Sequence, residues 1–559
     1  MKLFLWLNGI ALLVLIWTGC GDVYRPTIIP NPPTFPDPRA AHTVMSVNAN
    51  PSNDAGDQKN PGSVTVVDVS GDSVVSVADV GVNPVHAVQQ TASQVLTVNQ
   101  WTAGSGADTV SKINFSGTTI NVTNSNPSTI TLPPSYDALG NLTTSAPNFV
   151  ATTETGQAYV LLPNFQPDPT GASAIAPAVA VVNTLSNTIV ATIPVGTLGA
   201  NPWAMVETLD RNKLYVANRG DSTIRAFNTV DRSARTISGS LSAPPIWLSA
   251  RSDSQRVFVL ESSGKLAYLD TSTTGGPDVL TETSIVVPGV STCPGVQQTC
   301  AMFYDGHLNR LYIPGGNELA VVDVAGSTPV QLAAVAIPPF DASVSANAVA
   351  VTALPDGSRA YVASVPSTAD LTLPSQLTIS SVQGDGTTAT YTYTLTSGHD
   401  LAPGVTITVS GTATGFDGTY QVSAVQSGTS SCPTTCFQAL NATTATATPV
   451  SGAATGDNIF PQVTVVSTSS NTAKTTVGVS GFVPYDAICA TTRFRFAMAS
   501  AGDSSRVYLS ACDGGNINII DTLKDTYVLN RQAPSSGRPP IPPNSQQPAQ
   551  NPVFLIAGP

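Results

Sequence analysis

The chain has 559 residues, enough to bury a large core, and only 10% of them are charged. Its formal net charge of −12 repels phosphate backbones, and no cluster of Lys and Arg offsets it locally, which argues against nucleic acid as a partner. Ser, Thr, Gly and Val are abundant and no long stretch has apolar residues at helical spacing, so the composition favours strands and turns.

The first 20 residues have the pattern of an export signal. Lys2 precedes an apolar run over residues 3–17, and two small residues stand directly before Cys20. This pattern resembles a bacterial lipoprotein signal peptide, although Trp17 stands where that pattern usually has Leu, Val or Ile. We expect residues 1–20 to be the signal peptide and Cys20 to be acylated, with a non-cleaved anchor and ordinary secretion as the alternatives. Acyl chains would hold the protein on a membrane of the cell envelope, on the outer-membrane or periplasmic side.

Six further cysteines agree with export to an oxidising compartment. Six cysteines allow about fifteen pairings. Proximity favours two of the disulfides and the register of the repeat favours the third; the pairs are Cys293–Cys300, Cys432–Cys436 and Cys489–Cys512. No CxxC motif is present and the four histidines are scattered, so we expect no metal site and no cofactor.

A repeat of short strands begins near residue 42. Its clearest member is a basic residue followed by an apolar residue, an aromatic residue and Val, as in KLYVANRG, with copies that start at Lys213, Arg256, Arg310, Arg359 and Arg506. A Pro-led strand such as NPWAMV commonly precedes this member, and an alternating strand that ends in Asp or Asn follows it. Four short strands every 40 to 55 residues match the blade of a β-propeller. We interpret the recurring Asp or Asn as a turn-forming residue rather than as part of an acidic catalytic ring.

The repeat resembles the YVTN-repeat propellers, a lactonase-like group of surface and periplasmic proteins. The segment of residues 177–220, with VAVVNTLSNTIVATIPVG followed by NPWAMV and KLYVANRG, matches the pattern of that family nearly throughout. The resemblance extends over roughly residues 42–370 and 460–530. It implies a propeller fold, and it implies no particular activity, because the members of the family differ in what they do.

The predicted fold is therefore an all-β propeller with eight blades by repeat count, and seven blades as the alternative that the family suggests. The segments that start at Asn516, Thr526 and Asn551 should form the closing blade together with a strand from residues 42–50. Too much chain for a loop separates two of the repeat strands, which predicts an inserted β module. The expected regions are a Pro-rich tether over 21–41, propeller over 42–375, the inserted module over 376–460 and the rest of the propeller over 461–559.

Candidate binding residues are polar or aromatic and occupy comparable positions in the blades, which should place them on one rim; they are Asn83, His86, Trp203, Arg219, Asp221, Trp247 and Asp513. Packing between blades is the alternative interpretation of the two tryptophans. The sequence contains no GxSxG motif, no Walker loop and no EF-hand series, so no catalytic residue is predicted.

Two functions remain open at this point, beside a purely structural envelope protein that would differ from the first only in having no specific ligand. The first is a non-enzymatic binding or scaffold lipoprotein that holds an envelope protein, a glycan or a small molecule. The second is a lactonase-like or other hydrolytic enzyme. The low charge density and the absent catalytic spacing favour the first, whereas three or more convergent ionisable groups in the channel would favour the second.

Overall fold

The computed structural model describes most of the chain from residue 43 onwards. The described residues are 43–49, 61–91, 93–100, 107–116, 119–120, 128–152, 156–170, 176–271, 276–290, 301–339, 345–367, 375–397, 401, 406–429, 432–456, 462–479, 489, 492–512, 515–528 and 550–557. Cys20, Cys293, Cys300 and Asp513 lie outside these ranges, as does the tether. Among the described residues, no helix is long and apolar enough to cross a bilayer.

Eight sheets form the blades of a propeller, which confirms the predicted fold class. Their strands pair antiparallel, except that Ile237–Ser238 pairs parallel with the outer strand of its sheet. We number the blades along the chain and order the strands of each blade from the inner to the outer edge. Blade 1 contains Asn551–Ala557, Thr43–Ala49, Pro61–Asp68 and Ser73–Val82. Blade 2 contains Pro84–Thr91, Gln94–Asn99 and Thr109–Ser116, with Thr119–Ile120 and Ser128–Thr131 at its outer edge. Blades 3 and 4 contain Phe149–Thr152, Gln157–Leu162, Ala178–Asn183 and Thr188–Pro194, then Pro202–Glu207, Lys213–Asn218, Thr223–Asn228 and Ala234–Arg235.

Blades 5 to 8 repeat the same order. Blade 5 contains Pro245–Ala250, Arg256–Glu261, Lys265–Asp270 and Asp278–Val286, with Ile237–Ser238 beside the last of these. Blade 6 contains Phe303–Asp305, Arg310–Gly315, Glu318–Asp323 and Val330–Ala336. Blades 7 and 8 contain Ala346–Ala353, Arg359–Pro366, Gln462–Ser467 and Thr472–Gly478, then Phe496–Ser500, Arg506–Ala511, Asn516–Asp521 and Thr526–Tyr527. A two-stranded hairpin of Ser135–Tyr136 and Leu142–Thr143 lies between blades 2 and 3.

The inner strands form a closed ring, because each contacts the inner strand of the next blade and the inner strand of blade 8 contacts that of blade 1. The C-terminal strand pairs antiparallel with the first N-terminal strand, with Met45 opposite Ile556 and Val47 opposite Phe554. Blade 1 is thus built from one C-terminal and three N-terminal strands. The segments from Asn516 and Thr526, predicted to share this blade, belong to blade 8 instead. The reason is that each sheet starts at its inner strand, which is Pro-led in blades 1, 2, 4 and 5, so a unit that starts at the alternating strand spans two sheets.

Burial follows the position of a strand within its blade. The second strands are buried at nearly every residue, because neighbouring blades cover both of their faces, and Tyr159, Tyr215 and Tyr508 are fully enclosed there. The outer strand Thr188–Pro194 alternates between exposed and half-buried residues, as a strand with one solvated face does. The apolar runs and the alternating runs of the sequence therefore correspond to inner and outer positions in the blades.

The second and third strands of blade 7 are separated by a closed barrel of six strands. These are Ser375–Asp385, Thr388–Ser397, Thr406–Ser410, Gly418–Thr429, Cys432–Leu440 and Thr444–Gly456. The barrel has its own apolar core, in which Tyr391 stacks on Phe437 with the ring centroids 4.6 Å apart. A disulfide joins Cys432 to Cys436 within one of its strands.

The second disulfide of the structure joins Cys489 to Cys512, as the sequence predicts. Its first cysteine, however, does not lie in the inner strand of blade 8, because that strand is Phe496–Ser500. The segment VPYDAICA, interpreted as a Pro-led strand, therefore precedes the inner strand, and its residues 483–488 lie outside the described residues. The disulfide fastens this preceding segment to the end of the second strand of blade 8.

Candidate functional site

The two faces of the propeller follow from the direction of the inner strands. We call the face where these strands begin the entry face and the face where they end the exit face. Because neighbouring strands are antiparallel, the turns between second and third strands return to the entry face. Asn83 directly precedes an inner strand, Trp203 is the second residue of another, and Arg219 and Asp221 lie in a turn between second and third strands, so all four lie at the entry face.

An arginine surrounded by aromatic rings occupies the entry end of the ring of inner strands. The guanidinium carbon of Arg493 lies 4.6 Å from the ring centroid of Trp203, 5.0 Å from that of Phe149 and 5.3 Å from that of Phe494. It also lies 5.8 Å from the ring of Trp247. Such contacts stabilise a cation that has been removed from water. Burial, followed by the charge of Arg219, lowers the pKa of Arg493 to about 9.

His86 is part of the same assembly. Its ring stacks on Phe149 with the centroids 4.0 Å apart and lies 4.6 Å from the ring of Phe554. The Nδ1 atom accepts a hydrogen bond from the backbone N–H of Val150, 3.3 Å away. Burial, and secondarily the charge of Arg493, holds the pKa of His86 well below its usual value. The imidazole is therefore neutral at pH 7 and carries its proton on Nε2.

Four of the predicted binding residues come together through Arg493, which the sequence analysis did not single out. The guanidinium carbon of Arg219 lies 4.9 Å from the ring centroid of Trp203. We call the whole assembly the entry cluster; its members are His86, Phe149, Trp203, Arg219, Trp247, Arg493, Phe494 and Phe554. Trp247 packs against the cores of several blades, as the packing interpretation expects.

Two predicted residues have structural roles instead. Asn83 adopts a left-handed backbone conformation with a φ of 49°, and its amide donates a hydrogen bond to the side chain of Gln100, 3.1 Å away. Asp221 is exposed, and its Oδ1 accepts hydrogen bonds from the backbone N–H and the hydroxyl of Thr223 at 3.1 and 2.7 Å. That geometry is an Asx turn, the role expected for polar residues between strands.

A cavity of about 480 Å³ lies beside the entry cluster, between the inner strands of blades 2 to 6. Its wall includes His86, Phe149 and Trp247 of that cluster. From there it reaches the turn that follows the inner strand of blade 4, so it extends towards the exit face. Most of the wall is apolar, and its ionisable side chains are His86, Glu207, Arg211 and Tyr304. A largely apolar concave space with a few polar groups is typical of small-molecule sites.

Glu207 is the carboxyl group of this cavity. It is the last residue of the inner strand of blade 4 and is only 8% exposed. Its Oε2 lies 3.4 Å from Nη1 of Arg211, whereas its Oε1 has no hydrogen-bond partner among the residues that the structure describes. Burial raises the pKa of Glu207 to about 8 against the opposing effect of Arg211, so the carboxyl is mainly neutral at pH 7.

Two signals in the sequence point to the residues that were missed. Arg493 stands in the run RFRF, where basic and aromatic residues alternate directly before an inner strand. Glu207 ends the strand NPWAMVE, and its inward position becomes evident only once that strand is known to be the innermost one. Within the described part of the chain, no three His, Cys, Asp or Glu side chains are grouped as ligands of a metal ion would be.

The ring of eight blades and its central cavity define the chain as an eight-bladed β-propeller. No family model and no curated protein matches the sequence. Among solved structures, AztD from Citrobacter koseri is 10% identical, with 93% of this chain and 99% of that chain covered and a TM-score of 0.47. A candidate 6-phosphogluconolactonase from Bacteroides fragilis is 15% identical over 58% of this chain and 89% of that chain, with a TM-score of 0.38. A protein from Lactobacillus plantarum is 15% identical over 64% and 95%, with a TM-score of 0.39.

Proposed function

We propose that the protein is a non-enzymatic binding propeller of the cell envelope and that its ligand is a small organic molecule held in the central cavity. The observation that carries this proposal is the cavity of about 480 Å³ itself, whose wall is mainly apolar and includes His86, Glu207 and Arg211 as polar groups. A mainly apolar concave space with a few polar groups is typical of sites for small molecules, and the size of the cavity suits such a ligand.

The number of ionisable groups in the cavity makes hydrolysis the second candidate. Four such side chains line it, more than the three that would favour an enzyme. Their protonation states favour binding, because hydrolysis needs a general base at the reacting water. Glu207 is mainly protonated at pH 7, and the unprotonated nitrogen of His86 is occupied by the N–H of Val150. Turnover of a panel of lactones and esters by the full chain, abolished in Glu207→Gln, would establish the enzyme instead.

The binding function is tested by screening a metabolite library against the full chain by thermal shift and calorimetry. Ser249 lines the cavity, so Ser249→Trp should fill part of it and abolish binding of every specific ligand. The matched control is Ser263→Trp, which introduces the same side chain at an exposed turn outside the cavity. Ligands that bind both variants equally would place the binding site elsewhere and contradict the proposal.

The proposed location rests on the sequence of the first 41 residues and on the disulfides. Export with acylation at Cys20 would attach the propeller to an envelope membrane through the tether of residues 21–41. The two disulfides support an oxidising compartment. Metabolic labelling with palmitate should mark the intact protein and fail in Cys20→Ser. Label that persists in this variant would refute the lipid anchor without affecting the proposed ligand site.

A further inference from the structure

Resting on the proposed function, we infer that the ligand of the cavity is an uncharged molecule made mostly of hydrocarbon, which enters from the exit face and fills the space up to the entry cluster. Four features of the propeller lead to this class of ligand and to this route. They are the composition of the inner strands, the contacts of the charged groups beside the cavity, the accessible wall and the difference between the two ends.

The first feature is the composition of the eight inner strands. Sequences such as PIWLSA, ANAVAVTA and FAMAS contain no Asp, Glu, His, Lys or Arg, and the eight strands together contain three such residues. These are His86, Glu207 and Asp305, which are 5%, 8% and 4% exposed. The surface that the ring presents to its centre therefore carries almost no charge.

The second feature is how the charged groups beside the cavity are engaged. Oε1 of Glu207 is enclosed by protein atoms, while Oε2 faces Nη1 of Arg211 at 3.4 Å. The same Nη1 donates to the carbonyl oxygen of Thr152 at 2.7 Å, and the exposed Asp210 adjoins Arg211 in its turn. Arg493 lies behind aromatic rings. An ionised ligand would thus lose its hydration here without gaining a counter-ion, a cost that an uncharged ligand does not have.

The third feature is the part of the wall that a ligand can touch. Apolar side chains that line the cavity and are half-buried, so that they retain accessible surface, are Val88, Val206, Leu209, Trp247 and Phe303. Each methylene group that moves from water to such a wall raises the affinity about fourfold. Ser249 adds one half-buried hydroxyl, which suits a neutral oxygen of the ligand.

The fourth feature is the difference between the two ends of the cavity. Phe149 and Arg493 close the entry end, where they are 8% and 6% exposed, whereas Leu209 and Arg211 at the exit end belong to a half-buried turn. The strand Thr43–Ala49 also begins at the exit face, because Val44 pairs with Ala557 at the end of an inner strand. The tether and the proposed lipid anchor thus join the propeller on the side from which a hydrocarbon ligand would arrive.

The class of ligand is tested with three probes of one length that differ in charge: 1-octanol, octanoate and octylammonium. Their affinities for the full chain are measured by calorimetry at pH 7. We expect 1-octanol to bind at least about tenfold more tightly than either ion, because the cavity does not replace the hydration of a charge. From 1-butanol through 1-hexanol to 1-octanol, the affinity should rise about fourfold per methylene group. Ser249→Trp should abolish binding of 1-octanol, and the control Ser263→Trp should retain it.

The route is tested by the rate of association of N-phenylnaphthylamine, an uncharged fluorescent probe, in stopped flow. Leu209 lines the exit end, so Leu209→Trp should slow association about tenfold. Leu241→Trp is the matched control, because Leu241 is half-buried against the same apolar cluster but lies outside the cavity. Its association rate should equal that of the unmodified protein. Equal rates in the two variants would overturn entry from the exit face.

Binding of either ion as tightly as 1-octanol, an affinity that does not rise with chain length, or no binding of 1-octanol would overturn the inference. These comparisons use the unmodified protein and decide the matter even where a variant does not fold. A charged metabolite whose binding is lost in Ser249→Trp would leave the proposed function standing and refute only the uncharged class. If Ser249→Trp changes no binding at all, both fail.

Discussion

At the scale of single residues, the cavity is notable for keeping a carboxyl group where it is poorly solvated. Glu207 has one cationic neighbour at 3.4 Å, which does not offset its burial, and its raised pKa reflects that balance. A glutamine or a methionine in its place would avoid the cost of desolvating a charge. The carboxyl therefore reduces the stability of the fold near neutral pH.

This cost has a defined dependence on pH. An acid whose folded pKa lies above its unfolded pKa binds its proton more tightly when folded, so its stabilising contribution is complete below 4.5 and is lost as the pH rises to about 8. The free energy of unfolding should fall by about 1.4 kcal/mol per pH unit in that interval because of Glu207. In Glu207→Gln this slope should disappear, so the variant gains stability relative to the unmodified protein as the pH rises.

Urea unfolding at several pH values between about 5 and 8 measures the difference between the two proteins. Glu318→Gln provides the comparison, because burial also raises the pKa of that group, which is more accessible to solvent. Its slope should be shallower. Parallel stability curves for Glu207→Gln and the unmodified protein would show that Glu207 ionises normally in the folded state.

The candidate site was predictable in part. His86, Trp203, Arg219 and Trp247 share blade positions that the repeat reveals, and the ring places them around Arg493. Arg493 was not predictable from the repeat, because it stands outside the strands and reaches the cluster from the segment that the disulfide of blade 8 holds. The raised pKa of Glu207 depends on its burial in the assembled ring, which local sequence does not encode.

At the scale of elements, the recurring basic and aromatic residues of the second strands have a common explanation. Residues two apart in a strand point to the same side, so Arg506 and Tyr508 both reach Asp72 in the neighbouring blade. The Tyr508 hydroxyl donates at 3.1 Å and Nε of Arg506 at 3.0 Å. Tyr361 with Arg359 on Asp525 repeats the arrangement between blades 7 and 8. Tyr215 likewise donates to Asp278 of the next blade, but there the arginine on that carboxylate is Arg235 of the outer strand of blade 4. The aromatic strand of the repeat thus joins each of these blades to the next one.

Asp72→Asn should therefore weaken the contact between blades 8 and 1. Asparagine tolerates the left-handed conformation of this residue, which has a φ of 48°, so the change removes charge without backbone strain. Because Asp72 is only 5% exposed, we expect a loss of about 2–3 kcal/mol in the free energy of unfolding. Asp521→Asn is the matched control: it contacts the same Arg506 at 2.9 Å, but within blade 8, and should cost about 1 kcal/mol or less. Equal losses in the two variants, measured by urea unfolding, would show that the contact between blades has no special weight.

At the scale of the whole molecule, the number of blades was predictable because eight aromatic-type strands can be counted. What the sequence left ambiguous was which strand of the repeat is the first strand of a blade, since a repeat has no intrinsic start. The closed ring fixes this first strand. Pro-led strands lack one backbone donor and occupy inner edges, where a strand has a ladder partner on one side only. The inserted barrel does not interrupt blade 7. Its sheet is closed on itself, and the second and third strands of the blade pair with each other across the insertion.

The C-terminal strand is the element on which closure of the ring depends. Asn551–Ala557 is the inner strand of blade 1, and Val553 and Leu555 are 2% and 4% exposed. Burial of each such side chain contributes about 1.5–3 kcal/mol, and the strand also supplies Phe554 to the entry cluster.

Deleting residues 551–559 removes these contacts and exposes the backbone edge of Thr43–Ala49, which then becomes free to pair with other chains. We expect the melting temperature to fall by at least about 5 °C and aggregation to increase. Deleting only residues 558–559, which follow the strand, should leave melting unchanged; a full truncation that melts within about 2 °C of the intact chain would mean that the tail does not close the ring.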